Sequence, residues 1–208
     1  PMIQIETIGA GGGSIAHVDI SGMLQVGPQS AGSNPGPVCY GRGNTLPTVT
    51  DANVVLGRIA ASRPLGGGML GQLDEAAARQ AIDIHVAQPL GLDVMAAAEA
   101  ILTVANAKMA GAIRVVSIEK GHDPRQFAYM PFGGGGALHV CAMMREVGVT
   151  TGLIPRYPGV TSALGCVMAY LNLRYPELDF DKKYPKLAKH YARMMQRPSF
   201  QETAPPPV

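Results

Sequence analysis

Tryptophan is absent from this sequence, and charged residues are scarce, since they make up only 15% of its 208 residues. The formal net charge of +2 is close to neutral, so composition gives no electrostatic case for binding nucleic acid or a membrane surface. No signal-peptide pattern is visible, and no apolar run approaches the length of a membrane span. We therefore expect neither nucleic acid nor a membrane as a partner.

Cysteine is also rare. The three cysteines, Cys39, Cys141 and Cys166, are odd in number, lie far apart and lack the spacing of a metal site. This pattern favours a reduced setting over a disulfide framework, and we expect a cytoplasmic protein.

Glycine and proline, in contrast, are abundant, with 26 and 17 residues, and 47% of the chain is hydrophobic. This composition predicts a well-buried α/β core with many tight turns, in one substantial domain or two small ones. Residues 1–8 show a strand pattern with no lead-in. We expect from this that the N-terminal part of a larger protein is missing.

Two alternating apolar segments near the N-terminus, residues 14–20 and 23–26, predict antiparallel strands joined by a two-residue turn. The glycines at 11–13 lie just before the first strand. They either cradle an anion or form a glycine bulge in the sheet. His17 alternates with apolar residues, which is typical of a sheet-face position.

A long stretch of turn-forming residues, 27–50, follows the second strand, and such a stretch inside a compact domain is functional or a surface excursion. It carries a polar set suited to binding: Ser30, Ser33, Asn34, Cys39, Tyr40 and Arg42. Asp51 then begins a helical segment, and its carboxylate can cap that helix. Asp51 could equally face an active-site metal or a phosphate-bound cation.

Two helices are predicted in the middle of the chain, one from Asp74 to about residue 87, before Pro89, and an alanine-rich one from Asp93 to about residue 118. The small residues of the second helix imply close packing against another element. We expect Asn106 to bond within a packed helix face.

The segment from 126 to 171 has the order strand, helix, strand, helix, with strands near 126–130 and 149–155 and a last helix at 160–171. This order predicts a βαβα unit with parallel strands. The first strand leads into the glycines 133–136, which precede a helical pattern. Strand, glycine turn and helix together bring backbone N–H groups up to a ligand, whereas the structural alternative is a tight turn.

Seven motifs in order closely resemble the hydantoinase A/5-oxoprolinase family. They are IGAGGGSIA (8–16), VGPQSAG (26–32), PGPVCYGRG (35–43), PTVTDAN (47–53), GHDPR (121–125), FGGGGALH (132–139) and PGVTSALG (158–165). The resemblance implies the C-terminal portion of the family's ATPase region. Its fold would be α/β: half of an actin-like (ribonuclease H-like) ATPase fold, a mixed sheet with packed helices, plus the long Gly/Pro-rich loop. Residues 1–171 would be a partial ATPase domain, and 172–208 an atypical basic helix with a disordered proline-rich tail.

The resemblance also implies a function. Family members couple ATP hydrolysis to opening cyclic amides such as hydantoins and 5-oxoproline, with ATP and Mg²⁺ as cofactors. Two alternatives stay open, an ATP-dependent ketone carboxylase subunit and a truncated, non-catalytic assembly subunit. The expected partners are a small cyclic amide and a hydantoinase B-type subunit or domain, and a homo-oligomer is a further option.

Site residues follow from the matched motifs. Five residues would contact the nucleotide: Gly133, Gly134, Gly135, Gly136 and His139. Three would lie near the reacting groups, namely Arg42, Asp51 and Asn53, with capping and loop-ordering as the alternative for the Asp51 group. No metal ligand is assigned.

The sequence departs from the family pattern in two places. The usual glycine motif has Ala at 135 and Pro at 137, where this chain has Gly135 and Ala137. The two Asp-Gly-Gly-Thr phosphate loops that precede the first motif in family members are not in this sequence. Phosphoryl transfer depends on positioning and electrostatics, so this difference removes the expected grip on phosphate and metal.

Overall fold

The structure is a computed structural model, and it describes residues 6–62 and 71–155. Apart from 132–134 and 155, these described residues belong to one compact unit. They form nine strands and α-helices: β1 (Ser14–Val18), β2 (Leu24–Ser30), α1 (Val49–Val55), α2 (Glu75–Ile82), α3 (Gln88–Leu90), α4 (Val94–Val116), β3 (Ala128–Tyr129), α5 (Val140–Val147) and β4 (Thr151–Gly152). The predicted helix at 160–171 and the region 172–208 lie outside the described residues, as do residues 1–5 of the first predicted strand.

Strands β1 and β2 form an antiparallel hairpin, as the alternating pattern predicts. Ala16 lies opposite Val26, and both side chains are buried. The turn is organised by Asp19, whose carboxylate accepts hydrogen bonds from the backbone N–H groups of Ser21 and Met23 at 2.9 and 3.1 Å. Side chains of alternate residues therefore reach the core from both strands of the hairpin.

The second strand extends further than expected, through Gly27 to Ser30, so the predicted loop starts four residues too early. Gly27 has a φ of +66°, and a side chain there would collide with the carbonyl of Gly9. Only glycine combines that backbone conformation with such close approach. The strand therefore continues through a segment whose composition is typical of turns.

The glycines before β1 support the start of α1. The glycines at 11–13 form a turn before β1, and the pairing register shifts only after them, between Ser14 and Ala16. The carbonyl of Gly12 accepts two hydrogen bonds from Thr50, from its backbone N–H and its hydroxyl, each at 2.9 Å. The glycine segment thus anchors the first turn of α1 against the hairpin.

Helix α2 begins as predicted, because the side chain of Asp74 accepts from the backbone N–H of Ala77 at 2.8 Å and caps it. Its end differs from the prediction. A π-helical segment, Asp83–Ala87, follows α2, and the one-turn helix α3 then contains Pro89. Because proline is tolerated in a first helical turn, the change of hydrogen-bonding pattern lets the chain continue to Gly91.

Helix α4 provides much of the core. Asp93 caps it through the N–H of Ala96 at 2.9 Å, as expected. Its buried residues recur at helical spacing and are mostly small: Ala97, Ala98, Ile101, Leu102, Ala105, Asn106 and Ala110. This face packs against α1, β2, the π-helical segment and α5.

The same helix corrects one expectation. Residues Val94–Lys120 are long and apolar enough to cross a membrane, judged by length and composition alone. The statement that no apolar run approaches a membrane span was therefore wrong. A core helix can pass the same test of length and composition. Of the apolar window in α4, 22% is buried, on the alanine-rich face that packs against other elements.

Strands β3 and β4 pair in parallel with α5 between them, which confirms the first three elements of the predicted βαβα unit. Strand β3 is shorter than predicted because a 3₁₀ turn, Pro124–Gln126, occupies its predicted start. The described residues are thus α/β, with one antiparallel and one parallel pair of strands in place of the expected single mixed sheet. The actin-like arrangement stays a prediction.

We predict that Ile101→Ala lowers the free energy of unfolding by about 2 to 5 kcal/mol, because it leaves a cavity in the core. The matched control is Ile118→Ala, since Ile118 is 54% exposed whereas Ile101 is 0% exposed. The control should change stability by less than about 0.5 kcal/mol. Urea unfolding followed by circular dichroism measures both, and equal losses would contradict the placement of α4 in the core.

Candidate functional site

The glycine loop at 133–136 follows β3, as predicted, but a short 3₁₀ turn, Gly136–His139, separates it from α5. Gly133 has a φ of +88°, a conformation that favours glycine. At Gly133, Gly134 and Gly135 no described atom lies within 4 Å of the position that a Cβ would take. Among the described residues, the backbone of these three glycines therefore has no close neighbour, which is compatible with the close approach of a ligand.

His139 ends the 3₁₀ turn and is buried, with 6% of its surface exposed. Its Nδ1 lies 2.8 Å from Oδ1 of Asn106, which α4 contributes. The sequence left open whether His139 lines a site or is packed; the described residues bury it. Asn106 is buried on the packed face of α4, as expected, and its hydrogen bond there reaches a residue of another element.

Burial lowers the pKa of His139, and the nearby positive charge of Arg58 lowers it further. The imidazole is therefore held in its neutral form around neutral pH. A neutral imidazole has one donor and one acceptor nitrogen, so it can take part in specific hydrogen bonding without carrying a charge.

Asp51 is fully buried, at 0% exposure, in the first turn of α1. Its Oδ2 accepts from the backbone N–H groups of Val38 and Thr48, at 3.1 and 2.8 Å, and from the Thr48 hydroxyl at 2.8 Å. Its Oδ1 accepts from the N–H of Cys39 at 2.7 Å. The carboxylate thus joins the helix to the long loop.

The cap of α1 differs from the prediction in detail. Thr48 is the N-cap residue, and Asp51 is the third helical residue, the two forming a reciprocal capping box. The geometry gives Asp51 the capping and loop-ordering contacts that the sequence left as one alternative. Four donors already surround its carboxylate, and its role near the reacting groups stays a prediction.

Burial next to Asp51 also changes the pKa values of Cys39 and Tyr40. Burial raises the pKa of the Cys39 thiol far above its usual range, and the charge of Asp51 raises it further. Burial likewise raises the pKa of Tyr40. Because the thiolate is the nucleophilic form, Cys39 is a packing residue and not a nucleophile.

The other two predicted catalytic residues lie in different surroundings. Asn53 is 2% exposed in α1, where its Nδ2 donates to the carbonyl of Val49 at 2.9 Å and its Oδ1 has no partner in the described part of the chain. Arg42 is exposed and donates to the carbonyl of Ser33 at 3.4 Å. Within the described residues, 6–62 and 71–155, no hydrogen bond or ion pair joins Arg42 to Asp51 or Asn53. A common catalytic role for the three residues therefore also stays a prediction.

The fit of the two expected cofactors differs. The open glycine loop is suited to a nucleotide, because bare backbone N–H groups and the start of a helix can approach it. For Mg²⁺, the described ranges contain no group of three or more His, Cys, Asp or Glu side chains that could hold a metal ion. These ranges therefore offer no site that would hold a metal ion by a cluster of such protein side chains alone.

Sequence reasoning missed two parts of this site. Thr48 and Asp51 have the Ser/Thr-x-x-acid spacing of a capping box, so that pattern could have identified the true cap. Asn106 and His139 are 33 residues apart, and no local pattern links them.

We predict that Asp51→Asn lowers the free energy of unfolding by on the order of 3 kcal/mol, because the new amide brings N–H groups toward buried N–H donors. Asp93→Asn is the matched control. Asp93 is an exposed helix cap, and asparagine caps helices as well as aspartate, so the change should be below about 0.5 kcal/mol. Chemical denaturation measures both, and a near-zero effect at Asp51 would contradict its organising role.

We also predict a pH dependence of stability that belongs to His139. The unfolded chain takes up a proton near the usual pKa of 6.5, whereas the folded chain does so only at lower pH. The stabilisation is therefore complete above pH 6.5 and is lost as the pH falls through the lower folded-state pKa. His139→Gln should flatten this part of the profile of unfolding free energy against pH; an unchanged slope would contradict the shift.

A family model described as hydantoinase/oxoprolinase matches residues 1–175 of this chain. Caprolactamase subunit alpha of Pseudomonas jessenii is 51% identical over 178 residues, which cover 86% of this chain and 25% of that protein. The 5-oxoprolinase 1 of Arabidopsis thaliana is 38% identical over 183 residues, covering 81% of this chain and 14% of its own length. The chain thus spans a quarter or less of these curated relatives.

Two solved structures are similar in fold. The crystal structure of the ATP-dependent caprolactamase from Pseudomonas jessenii has a TM-score of 0.73 at 53% identity, covering 79% of this chain and 24% of that one. The nucleotide-free acetone carboxylase structure has a TM-score of 0.69 at 30% identity, covering 76% of this chain and 22% of that one. Family match, sequence identity and fold agree, and the chain belongs to the hydantoinase/oxoprolinase family.

Proposed function

We propose that this chain is the nucleotide-binding part of an ATP-dependent enzyme that hydrolyses a cyclic amide. The observation that carries the proposal is its 51% identity to caprolactamase subunit alpha, together with the similarity to a caprolactamase structure whose title calls it ATP-dependent. The chain covers only part of that relative, so the rest of the reaction belongs to other parts of the assembly.

The glycine loop would bind the nucleotide. Gly133 to Gly136 offer backbone without side chains, and a 3₁₀ turn and α5 follow directly. When bound, ATP would supply phosphoryl transfer, which activates an amide oxygen so that water can attack the ring carbonyl. Mg²⁺ enters the proposal as the ion that ATP carries, because the described residues contain no group of three or more His, Cys, Asp or Glu side chains that would hold it alone.

The loop before α1 would place one exposed guanidinium, that of Arg42, near the reacting groups. Arg42 is the predicted catalytic residue whose side chain reaches solvent. Asp51 would act through the loop, because its carboxylate fixes the backbone at Val38 and Cys39, three to four residues before Arg42. Asn53 would support the same helix from within the core.

A ketone carboxylase is the second candidate, and the observation in its favour is the fold similarity to acetone carboxylase, at a TM-score of 0.69. The cyclic-amide assignment is preferred because identity to caprolactamase subunit alpha is 51%, against 46% for the acetophenone carboxylase gamma subunit of Aromatoleum aromaticum.

We further propose a partner subunit of the hydantoinase B type and a cytoplasmic location. The partner is supported by a relative whose name marks it as one subunit of a larger enzyme. The location rests on the cysteine pattern. Size-exclusion chromatography with light scattering tests the assembly. A monomer or a homo-oligomer of this chain that has ATPase activity of its own would contradict the need for a second subunit.

The reaction is tested by phosphate release from Mg-ATP with the assembled enzyme. Caprolactam, 5-oxoproline and hydantoin are supplied in turn, and acetone with bicarbonate serves as the competing substrate. Release that depends on one of the amides supports the proposal. Phosphate release that depends on ketone plus bicarbonate identifies the carboxylase. If no substrate is turned over, the cyclic-amide proposal fails and the alternative of a non-catalytic assembly subunit is supported.

We predict that Gly134→Val weakens Mg-ATP binding by at least about tenfold, equal to about 1.4 kcal/mol, because the side chain fills the space beside the loop. Gly135→Ala is the matched control, since the usual family motif carries alanine there. No described atom lies within 4 Å of a Cβ at either position, so both variants should fold. Calorimetric titration measures the affinity; equal affinities for Gly134→Val and the unmodified chain would contradict the loop's role.

A further inference from the structure

The contact between His139 and Asn106 determines which imidazole nitrogen carries the proton. Both residues are buried, at 6% and 9% exposure, and the Nδ1 to Oδ1 distance is 2.8 Å. A carboxamide oxygen only accepts hydrogen bonds, so the proton lies on Nδ1 of the imidazole. Nδ1 is therefore the donor of this pair.

The opposite nitrogen, Nε2, is then unprotonated. A neutral imidazole carries a single N–H, and the hydrogen bond made by one nitrogen sets the state of the other. Burial and the charge of Arg58 both disfavour the doubly protonated ring. Within the described residues no hydrogen bond to Nε2 is found, so its lone pair has no partner there.

The position of this acceptor relates it to the glycine loop. His139 closes the same 3₁₀ turn, Gly136–His139, that leads from the loop into α5. Asn106 lies in the middle of α4, on the buried face of that long helix, which contacts α1, β2 and α5. A rigid element thus sets the state of a side chain three residues from Gly136.

We infer that Asn106 is a positioning residue that holds His139 as its Nδ1–H tautomer, so that Nε2 accepts a hydrogen bond from an amino or hydroxyl group of the nucleotide. The ligand in this inference rests on the proposed function, whereas the tautomer rests on the contact alone. An unprotonated nitrogen repels phosphate oxygens. The nucleoside end therefore lies at His139, and the phosphates extend away from it.

The tautomer is tested without any ligand, by two-bond proton–nitrogen correlation spectra of the chain labelled with ¹⁵N-histidine. His139→Gln assigns the signal, and the other histidines, such as His17 and His85, serve as internal references. We expect Nδ1 at the shift of a protonated nitrogen and Nε2 at that of an unprotonated one. The reverse pattern in the unmodified chain would overturn the inference, whatever the variants do.

Two substitutions at Asn106 separate positioning from packing. Asn106→Asp keeps an acceptor at the same place and should keep the proton on Nδ1. Asn106→Leu removes the acceptor at similar volume. The imidazole of His139 should then lose its preference for the Nδ1–H tautomer, so that both tautomers are populated. If Asn106→Leu folds and retains the pure Nδ1–H form, Asn106 is not the positioning residue.

Titration with Mg-ATP then tests recognition. We expect the Nε2 signal to move on binding, and Asn106→Leu to bind about three- to tenfold more weakly, the loss of one hydrogen bond. Binding detected by calorimetry without any change at Nε2 overturns the recognition role but leaves the proposed function intact. No binding at all overturns the proposed function and this recognition role together, while the ligand-free spectrum still decides the tautomer.

Discussion

The carboxylate of Asp51 connects parts of the chain that local preferences would leave separate. It accepts four hydrogen bonds, from Val38, Cys39 and the backbone and hydroxyl of Thr48, at a position that is 0% exposed. A buried carboxylate is costly unless it is fully hydrogen-bonded, and here its donors are largely backbone groups that themselves need acceptors. The glycine- and proline-rich loop can therefore be ordered without regular structure of its own.

Patterns with a local physical cause were predictable from the sequence. Asp74 and Asp93 cap their helices as expected, because cap preference is set within one turn. The hairpin and the parallel pairing of β3 with β4 follow from side-chain alternation and from the strand–helix–strand order. Element ends were less predictable, since Gly27 lies in a strand beside the carbonyl of Gly9 and Pro89 lies in a helical turn that directly follows a π-helical segment.

The candidate site was predictable in outline and not in its contacts. The motif that contains the glycine loop pointed to a ligand, and the loop does leave open space beside its backbone. The contact of Asn106 with His139 depends on how α4 packs against the turn before α5, which no spacing in the sequence encodes. The family match supports the reaction class that we propose, and the glycine loop is the surface that we propose for the nucleotide. The described residues contain no group of three or more His, Cys, Asp or Glu side chains that could hold a metal ion.

The central claim is that the glycine loop binds the nucleoside end of ATP. A crystal structure of the chain with Mg-ADP tests it most directly. The account predicts the nucleoside against the backbone of Gly133 to Gly136, with a base or ribose donor at Nε2 of His139 and the phosphates pointing away from that ring. A nucleotide bound elsewhere on the chain, or with its phosphates at His139, would contradict it.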